Sequence, residues 1–232
     1  MAYGNSFQRT SPVVLNLIII NALAFFAQKA FGSHGMILGD GDFVTKVDEL
    51  FALHYHKSQF FKPHQIVTHM FMHGGFLHLI FNMFGLWMFG SIIERLWGPK
   101  RFLIFYLICG LGAGLTQMAS YAYDFSGAVY QTEGTQQYFI AQYSATVGAS
   151  GAIMGILAAY GYLFPNTELF IMPIPFPIKA KWAIMGIIAI DVFGGVSRTA
   201  NDNVAHFAHI GGALIGFLIV LYWNKSNKQT FY

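Results

Sequence analysis

The chain has 232 residues, of which 55% are hydrophobic and only 10% charged, and its mean hydropathy is +0.50. Soluble domains usually carry about 25% charged residues, so a water-soluble fold of this size could not bury so much apolar surface. The bilayer is therefore the expected solvent. The net charge of +3 is too small and too scattered to indicate a nucleic-acid partner. The single cysteine, Cys109, excludes an internal disulfide.

Six stretches are apolar enough, or nearly so, to cross a bilayer as helices, which takes about 20 residues each. They cover about residues 12–28, 74–93, 102–123, 143–164, 182–196 and 203–223. The pattern predicts an all-α, polytopic membrane bundle of six transmembrane helices, forming one domain over residues 1–232. Residues 29–68 are predicted to form a long outside loop, whose second half lies at the membrane surface as interfacial helix.

Lysine and arginine residues set the predicted orientation. With the N-terminus inside, eight of the 13 fall in inside segments and five in outside segments, although the first outside loop is the longest. Positive charge is enriched in cytoplasmic loops, so both termini are predicted to be cytoplasmic. The first apolar run lacks a small-x-small cleavage site and is interpreted as a retained span. The compact length favours a bacterial inner membrane.

The start of the second span is rich in polar residues, which are costly inside a bilayer and are therefore candidates for function. They are His69, His73, His78 and Asn82. His78 and Asn82 lie four residues apart, so both project from one face of the helix. Two hydrogen-bonding side chains aimed at one point suit a developing negative charge. The alternative is a set of interhelical hydrogen bonds, which is favoured for His69 and His73.

The fourth span opens on Gly148-Ala149-Ser150-Gly151. A serine near a helix N-terminus is often only a cap, and the motif alone does not decide. It is not the hydrolase elbow G-x-S-x-G, because Ala152 stands where the last glycine belongs. Gly151 and Gly155 are small residues four apart, which lets another helix backbone approach closely.

The sixth span carries Ala208-His209-Ile210-Gly211-Gly212, and Gly216 follows four residues later. Close packing of spans four and six through their small residues would bring His209 to Ser150. A serine hydroxyl becomes a nucleophile when a neighbouring base takes its proton, and a neutral imidazole can do this. His206, three residues earlier, is interpreted as a packing or hydrogen-bond partner.

Together the three clusters resemble the rhomboid family of intramembrane serine proteases. The resemblance covers about residues 61–217, with His-x3-His-x4-His-x3-Asn, Gly-x-Ser-Gly and Ala-His-x-x-Gly in the family's order. It implies that Ser150 is the nucleophile and His209 the general base, a dyad without an acid. It implies an oxyanion hole made by His78, Asn82 and the backbone N–H of Ser150. The supporting residues that it implies are Gly148, Gly151, Gly212, His73 and Met154.

Other segments are compared with the same family. Glu94-Arg95 followed by Gly98 resembles its acidic-basic turn, and the segment 191–194 resembles one beside its lateral gate. For Asp191 three roles stay open: gate partner, structural hydrogen-bonder and substrate contact. Met154 stands where rhomboids often carry an aromatic that stacks on the catalytic histidine, which predicts altered histidine positioning rather than loss of activity. The stretch 61–65 lacks the tryptophan common there.

The resemblance implies cleavage of the transmembrane segments of single-span proteins within the bilayer, without a metal or organic cofactor. One alternative is a rhomboid-like protein that binds transmembrane helices without cutting them. A second is a metal protein built on the histidines, but no H-E-x-x-H is present and no cysteine or acid pairs with them in sequence. A third is a transporter, for which repeats or broken helices would be expected.

Overall fold

The computed structural model describes residues 11–32, 35–37, 43–171, 174–197 and 204–226, which are mostly helical. The helices are α1 (Pro12–Phe31), α2 (Lys46–Phe51), α3 (Gln65–Thr68), α4 (Phe76–Gly85), α5 (Ser91–Trp97), α6 (Pro99–Asp124), α7 (Gln136–Tyr143), α8 (Ser150–Leu163), α9 (Ala180–Ser197) and α10 (His206–Ser226). Short antiparallel pairs join β1 (Gly35–Ile37) to β2 (Phe43–Thr45), β3 (Leu53–His54) to β4 (Ala145–Thr146) and β5 (Glu168–Leu169) to β6 (Ile178–Lys179).

Among the residues that the structure describes, five helical segments are long and apolar enough to cross a bilayer. They are Pro12–Phe31, Phe76–Trp97, Pro99–Asp124, Ala180–Ser197 and His206–Lys225. The second of them consists of α4 and α5, joined without a break by a π-helical turn over Leu86–Gly90. The multi-pass helical architecture is thus as predicted, with five of the six expected spans at full length.

The fourth predicted span, 143–164, differs in the structure. Only Ser150–Leu163 forms a helix there, and its 14 residues correspond to about 21 Å at 1.5 Å per residue, short of a hydrocarbon core of about 30 Å. The residues before it are extended: β4 pairs with β3 of the first loop, and Gly148 has a φ of +130°. Counting apolar residues missed this break, because residues 144–149 before the helix carry no charge and so do not interrupt the apolar stretch.

Helix α8 is the centre of the bundle, since each residue from Gly151 to Tyr160 is buried. It meets α10 backbone to backbone. A Cβ atom added to Gly212 would collide with the carbonyl oxygen of Gly151, and one added to Gly216 would lie 2.6 Å from the Cα of Gly155. The close packing of these helices, which their small residues predict, is confirmed.

Glu94, the acid of the acidic-basic pair within α5, caps the start of the first span. The two carboxylate oxygens of Glu94, which is buried, accept the backbone N–H groups of Val13 at 3.0 Å and Val14 at 2.8 Å. The first N–H groups of a helix have no partner within the helix, and negative charge is favourable there. Glu94 therefore ties α5 to α1.

Buried glutamines hold the first loop against the bundle. The side chain of Gln65 accepts the N–H of Lys62 at 3.1 Å and donates to the carbonyl of Phe60 at 2.9 Å. Gln28, near the end of α1, donates to Asp48 at 2.7 Å. The second half of the loop is not the interfacial helix that was predicted: its α-helix is only the four residues of α3, because polar side-chain contacts replace helical bonds there.

Candidate active site

Ser150 and His209 meet where α8 and α10 begin. The Oγ atom of Ser150 lies 2.8 Å from Nε2 of His209, which is the length of a good hydrogen bond. The N-cap residue of α8 is Ala149, and no side chain caps the helix. The hydroxyl of Ser150 therefore does not cap the helix; it is directed to the imidazole of His209. The structure brings these two predicted residues together across 59 positions of sequence.

Gly148 brings His78 next to Ser150. A Cβ atom added to Gly148 would lie 2.9 Å from Nε2 of His78 and 3.4 Å from Oγ of Ser150. Its φ of +130° also belongs to a region that favours glycine. The N–H of Gly148 donates to the carbonyl of His69 at 2.9 Å. The segment that carries Gly148 is therefore fixed against His69, with the imidazole of His78 beside the serine.

Two further hydrogen-bond donors were predicted for the same place. Asn82 is buried, and its Nδ2 donates to the carbonyl of His78 at 2.8 Å. This bond holds the Asn82 amide against the preceding turn of α4. The N–H of Ser150 belongs to the first turn of α8, where backbone donors have no acceptor within the helix. The role of His78, Asn82 and Ser150 as oxyanion donors stays a prediction.

Asp191 contacts the site from α9. Its Oδ1 lies 2.9 Å from Nδ1 of His209 and 2.7 Å from Nδ1 of His206, and its side chain is only 8% exposed. The resemblance implied a serine–histidine dyad without an acid, whereas the structure adds a carboxylate on the far nitrogen of His209. Sequence spacing could not place Asp191 there, but a lone acid in an apolar span was a signal of function.

The other supporting residues take different positions. Gly151 and Gly212 form the backbone contact between α8 and α10. Met154, one turn after Ser150, is buried in the hydrophobic core, and its effect on histidine positioning stays a prediction. A cavity of about 10 Å³ beside Ser150 has Thr146 in its lining, and such a volume has room for one water molecule.

His73 lies behind His78, just before the second span. Their ring centroids are 5.2 Å apart. Neither ring nitrogen of His73 has a hydrogen-bond partner among the described residues, and the residue is fully buried. Burial lowers the pKa of His73 from 6.5 to about 4, with a smaller contribution from the charge of His78. His73 is therefore a neutral imidazole at physiological pH.

The stability of the protein is expected to fall in acid partly through His73. The unfolded chain takes up a proton near pH 6.5 and the folded chain only near pH 4, so stability rises with pH between these values and is lost as the pH falls through them. The contribution is at most about 3–4 kcal/mol, at about 1.4 kcal/mol per pKa unit. Thermal denaturation from pH 7 to 4.5 should show a smaller loss of Tm in His73→Gln than in wild type.

Wild type and His73→Gln must be compared because burial also lowers the pKa of His54 and His69. Those two histidines are unchanged in the variant and cancel in the difference. Equal losses of Tm in both proteins would contradict the account of His73.

In the part of the chain that the structure describes, no group of three or more His, Cys, Asp or Glu side chains is arranged so that it could hold a metal ion. What the fold and site define is a multi-pass helical membrane protein with a half-buried serine–histidine pair between two of its helices. A family model, the Rhomboid domain, matches residues 61–226 of the chain. The chain therefore belongs to the rhomboid family, as the three motifs predicted.

Several relatives are similar over much of the chain. RHOMBOID-like protein 12, mitochondrial, of Arabidopsis thaliana is 30% identical over 94% of this chain and 60% of its own length. Rhomboid protease AarA of Providencia stuartii is 34% identical over 65% of this chain and 52% of its own length. The human Presenilin-associated rhomboid-like protein, mitochondrial, is 34% identical over 67% of this chain and 36% of its own length.

These relatives bear on size and location. The chain spans between 36% and 60% of the length of the three. The Arabidopsis and human relatives are mitochondrial by name, whereas AarA is bacterial. The comparisons thus give a multi-pass integral membrane protein and no support for the expected bacterial inner membrane. The orientation, with both termini cytoplasmic, stays a prediction.

Proposed function

We propose that the protein is an intramembrane serine endopeptidase that cuts the transmembrane segments of single-span membrane proteins. The observation that carries the proposal is the 2.8 Å contact between Oγ of Ser150 and Nε2 of His209. Serine and histidine are both costly inside a bilayer, which makes the pair a candidate for function, and the contact leaves the imidazole able to take the proton of the hydroxyl. Membership in a family that includes a named protease, AarA, supports it.

In the first half of the proposed reaction, the Nε2 atom of His209 takes the proton of the Ser150 hydroxyl as Oγ attacks the substrate carbonyl carbon. The carbonyl π electrons move to its oxygen, which becomes an oxyanion. His78, Asn82 and the N–H of Ser150 are the proposed donors to it, and such a donor contributes about 3–4 kcal/mol in soluble serine proteases. The intermediate then collapses, the C–N bond breaks, and His209 gives its proton to the leaving amine.

In the second half, a water molecule releases the acyl group. His209 removes a proton from the water as its oxygen attacks the ester carbon, and the bond from that carbon to Oγ of Ser150 breaks. Ser150 regains its proton from His209, so the enzyme returns to its starting state. The reaction needs water, so the site is proposed to lie in a polar cavity that opens to the outside; the 18% exposure of the His209 side chain agrees with such an opening.

The proposed substrates are transmembrane helices that begin with small or helix-weakening residues. A peptide bond in a regular helix is covered by neighbouring turns, so the segment must unwind before Ser150 can reach it. Glycine costs a helix about 1 kcal/mol relative to alanine, which favours unwinding. No cofactor takes part in the steps proposed.

The test uses protein reconstituted in liposomes with a single-span fusion protein as substrate. One version carries glycines in the first turns of its transmembrane segment, and the matched control carries leucines there. We expect cleavage of the glycine version, with both new ends mapped by mass spectrometry inside the apolar segment. Pretreatment with a fluorophosphonate should prevent the cleavage.

Two outcomes would count against the proposal. Cleavage only in the soluble part of the fusion would contradict an intramembrane site. A folded protein that retains the uncut fusion on an affinity column would instead favour the alternative of a helix-binding protein without protease activity.

A further inference from the structure

We infer that Asp191 is a positioning residue for His209, and that His206 holds Asp191 in place for this task. The inference rests on the proposed function and adds a third and a fourth member to the serine–histidine pair. It starts from one oxygen, Oδ1 of Asp191, which contacts the Nδ1 atoms of both histidines at 2.9 Å and 2.7 Å.

The first step concerns which nitrogen of His209 carries the proton. An ionised carboxylate can only accept hydrogen bonds, so a bond to Asp191 requires the proton on Nδ1. In a neutral imidazole this leaves a lone pair on Nε2, which is the atom 2.8 Å from the Ser150 hydroxyl. The contact with Asp191 therefore selects the tautomer that can accept the proton of Ser150.

The second step concerns charge. When His209 takes the proton, it becomes a cation in a bundle whose neighbouring helices are apolar. The carboxylate of Asp191, whose side chain is 8% exposed against 18% for His209, lies against that cation. A carboxylate in this relation to a catalytic imidazole both orients it and stabilises its charged form.

The third step concerns what holds the carboxylate. His206 precedes His209 by three residues on α10, so the two rings lie on one face of the helix. Both donate to the same oxygen of Asp191, which fixes the α9 side chain from two points. Gly194 leaves the space for the second ring, because a Cβ atom added there would lie 2.5 Å from Cε1 of His206 and 2.9 Å from its Cδ2.

The kinetic test compares wild type, Asp191→Asn and Asp191→Glu on the cleavable fusion protein. Asparagine keeps the shape but removes the charge, and its amide N–H can donate to Nδ1 and favour the wrong tautomer. We expect kcat to fall by about 10²–10⁴-fold, the upper figure being the loss for the same change in a soluble serine protease. KM should change less than about threefold. The kcat of Asp191→Glu should be at least about tenfold higher than that of Asp191→Asn. His206→Gln should lower kcat less than Asp191→Asn does.

A second measurement does not depend on activity. Nitrogen-15 NMR of protein labelled at histidine, with His209→Ala to assign the signal, reports the tautomer of His209. Wild type should show the proton on Nδ1, and Asp191→Asn should move population to the Nε2–H form. A tautomer that stays unchanged in Asp191→Asn would overturn the inference, as would an unchanged kcat or a loss confined to KM.

The two measurements separate this inference from the proposed function. If wild type cuts the fusion protein and Asp191→Asn cuts it at the same kcat, the positioning role fails while the protease stands. If wild type cuts nothing but the tautomer moves in the variant, the protease fails while the positioning of His209 stands.

Discussion

Replacing Ser150 by alanine should abolish cleavage of the fusion protein, and replacing His209 by alanine should do nearly the same. Each variant removes one partner of the 2.8 Å contact on which proton transfer depends. In a soluble protease, loss of the serine or the histidine lowers kcat by about 10⁶-fold, so here both rates should fall below detection. The initial rate of product formation in liposomes measures this.

The serine and the histidine act as one unit, so the double variant should be no slower than either single variant. Ser120→Ala is the matched serine control, because that hydroxyl bonds Asp124 on its own helix at 3.2 Å. His56→Ala is the matched histidine control, since His56 lies exposed on the first loop. Cleavage that survives Ser150→Ala would mean that another group is the nucleophile.

Gly212→Ala should have the second largest effect, although it adds one methyl group far smaller than a catalytic side chain. Its Cβ atom would collide with the carbonyl oxygen of Gly151, and backbone cannot move aside as a flexible side chain can. The helices must separate, which carries His209 away from Ser150. A displacement of about 1 Å can cost about 10²-fold in rate, and overpacking costs about 1–3 kcal/mol of stability. We expect a lower Tm and a cleavage rate reduced at least about 10²-fold.

Gly186→Ala is the control for this change. It is the same substitution in another membrane helix, α9, and a Cβ atom added there meets nothing within 4 Å. It should leave Tm and rate as in wild type, or raise Tm slightly, because alanine favours helix over glycine. If the two variants behave alike, the glycine contact does not set the distance between Ser150 and His209.

Much of the site was predictable because the bilayer makes polar residues conspicuous. His78, Asn82 and His209 stand in apolar segments where each polar group carries a cost. The glycines that face one another on α8 and α10 then indicated which helices touch. These two facts together predicted the approach of His209 to Ser150 without any knowledge of the distances.

Contacts between distant side chains were not predictable in the same way. No repeat or spacing relates Asp191 to His209, because the pair depends on how α9 is rotated against α10. The start of α8 was missed for another reason. Strand β4 is held by pairing with the first loop, and a strand of two residues is too short to show an alternating pattern in the sequence. Gln65 was overlooked because its importance lies in the backbone groups it bonds, which the sequence does not display.

The most direct test of the central claim is a fluorophosphonate reaction with the purified, folded protein, followed by peptide mass spectrometry. An activated serine attacks the phosphorus and displaces fluoride, whereas ordinary serines do not react. The account predicts one adduct, on the peptide that contains Ser150, and none in His209→Ala. A folded wild-type protein that forms no adduct, or forms it on another residue, would contradict it.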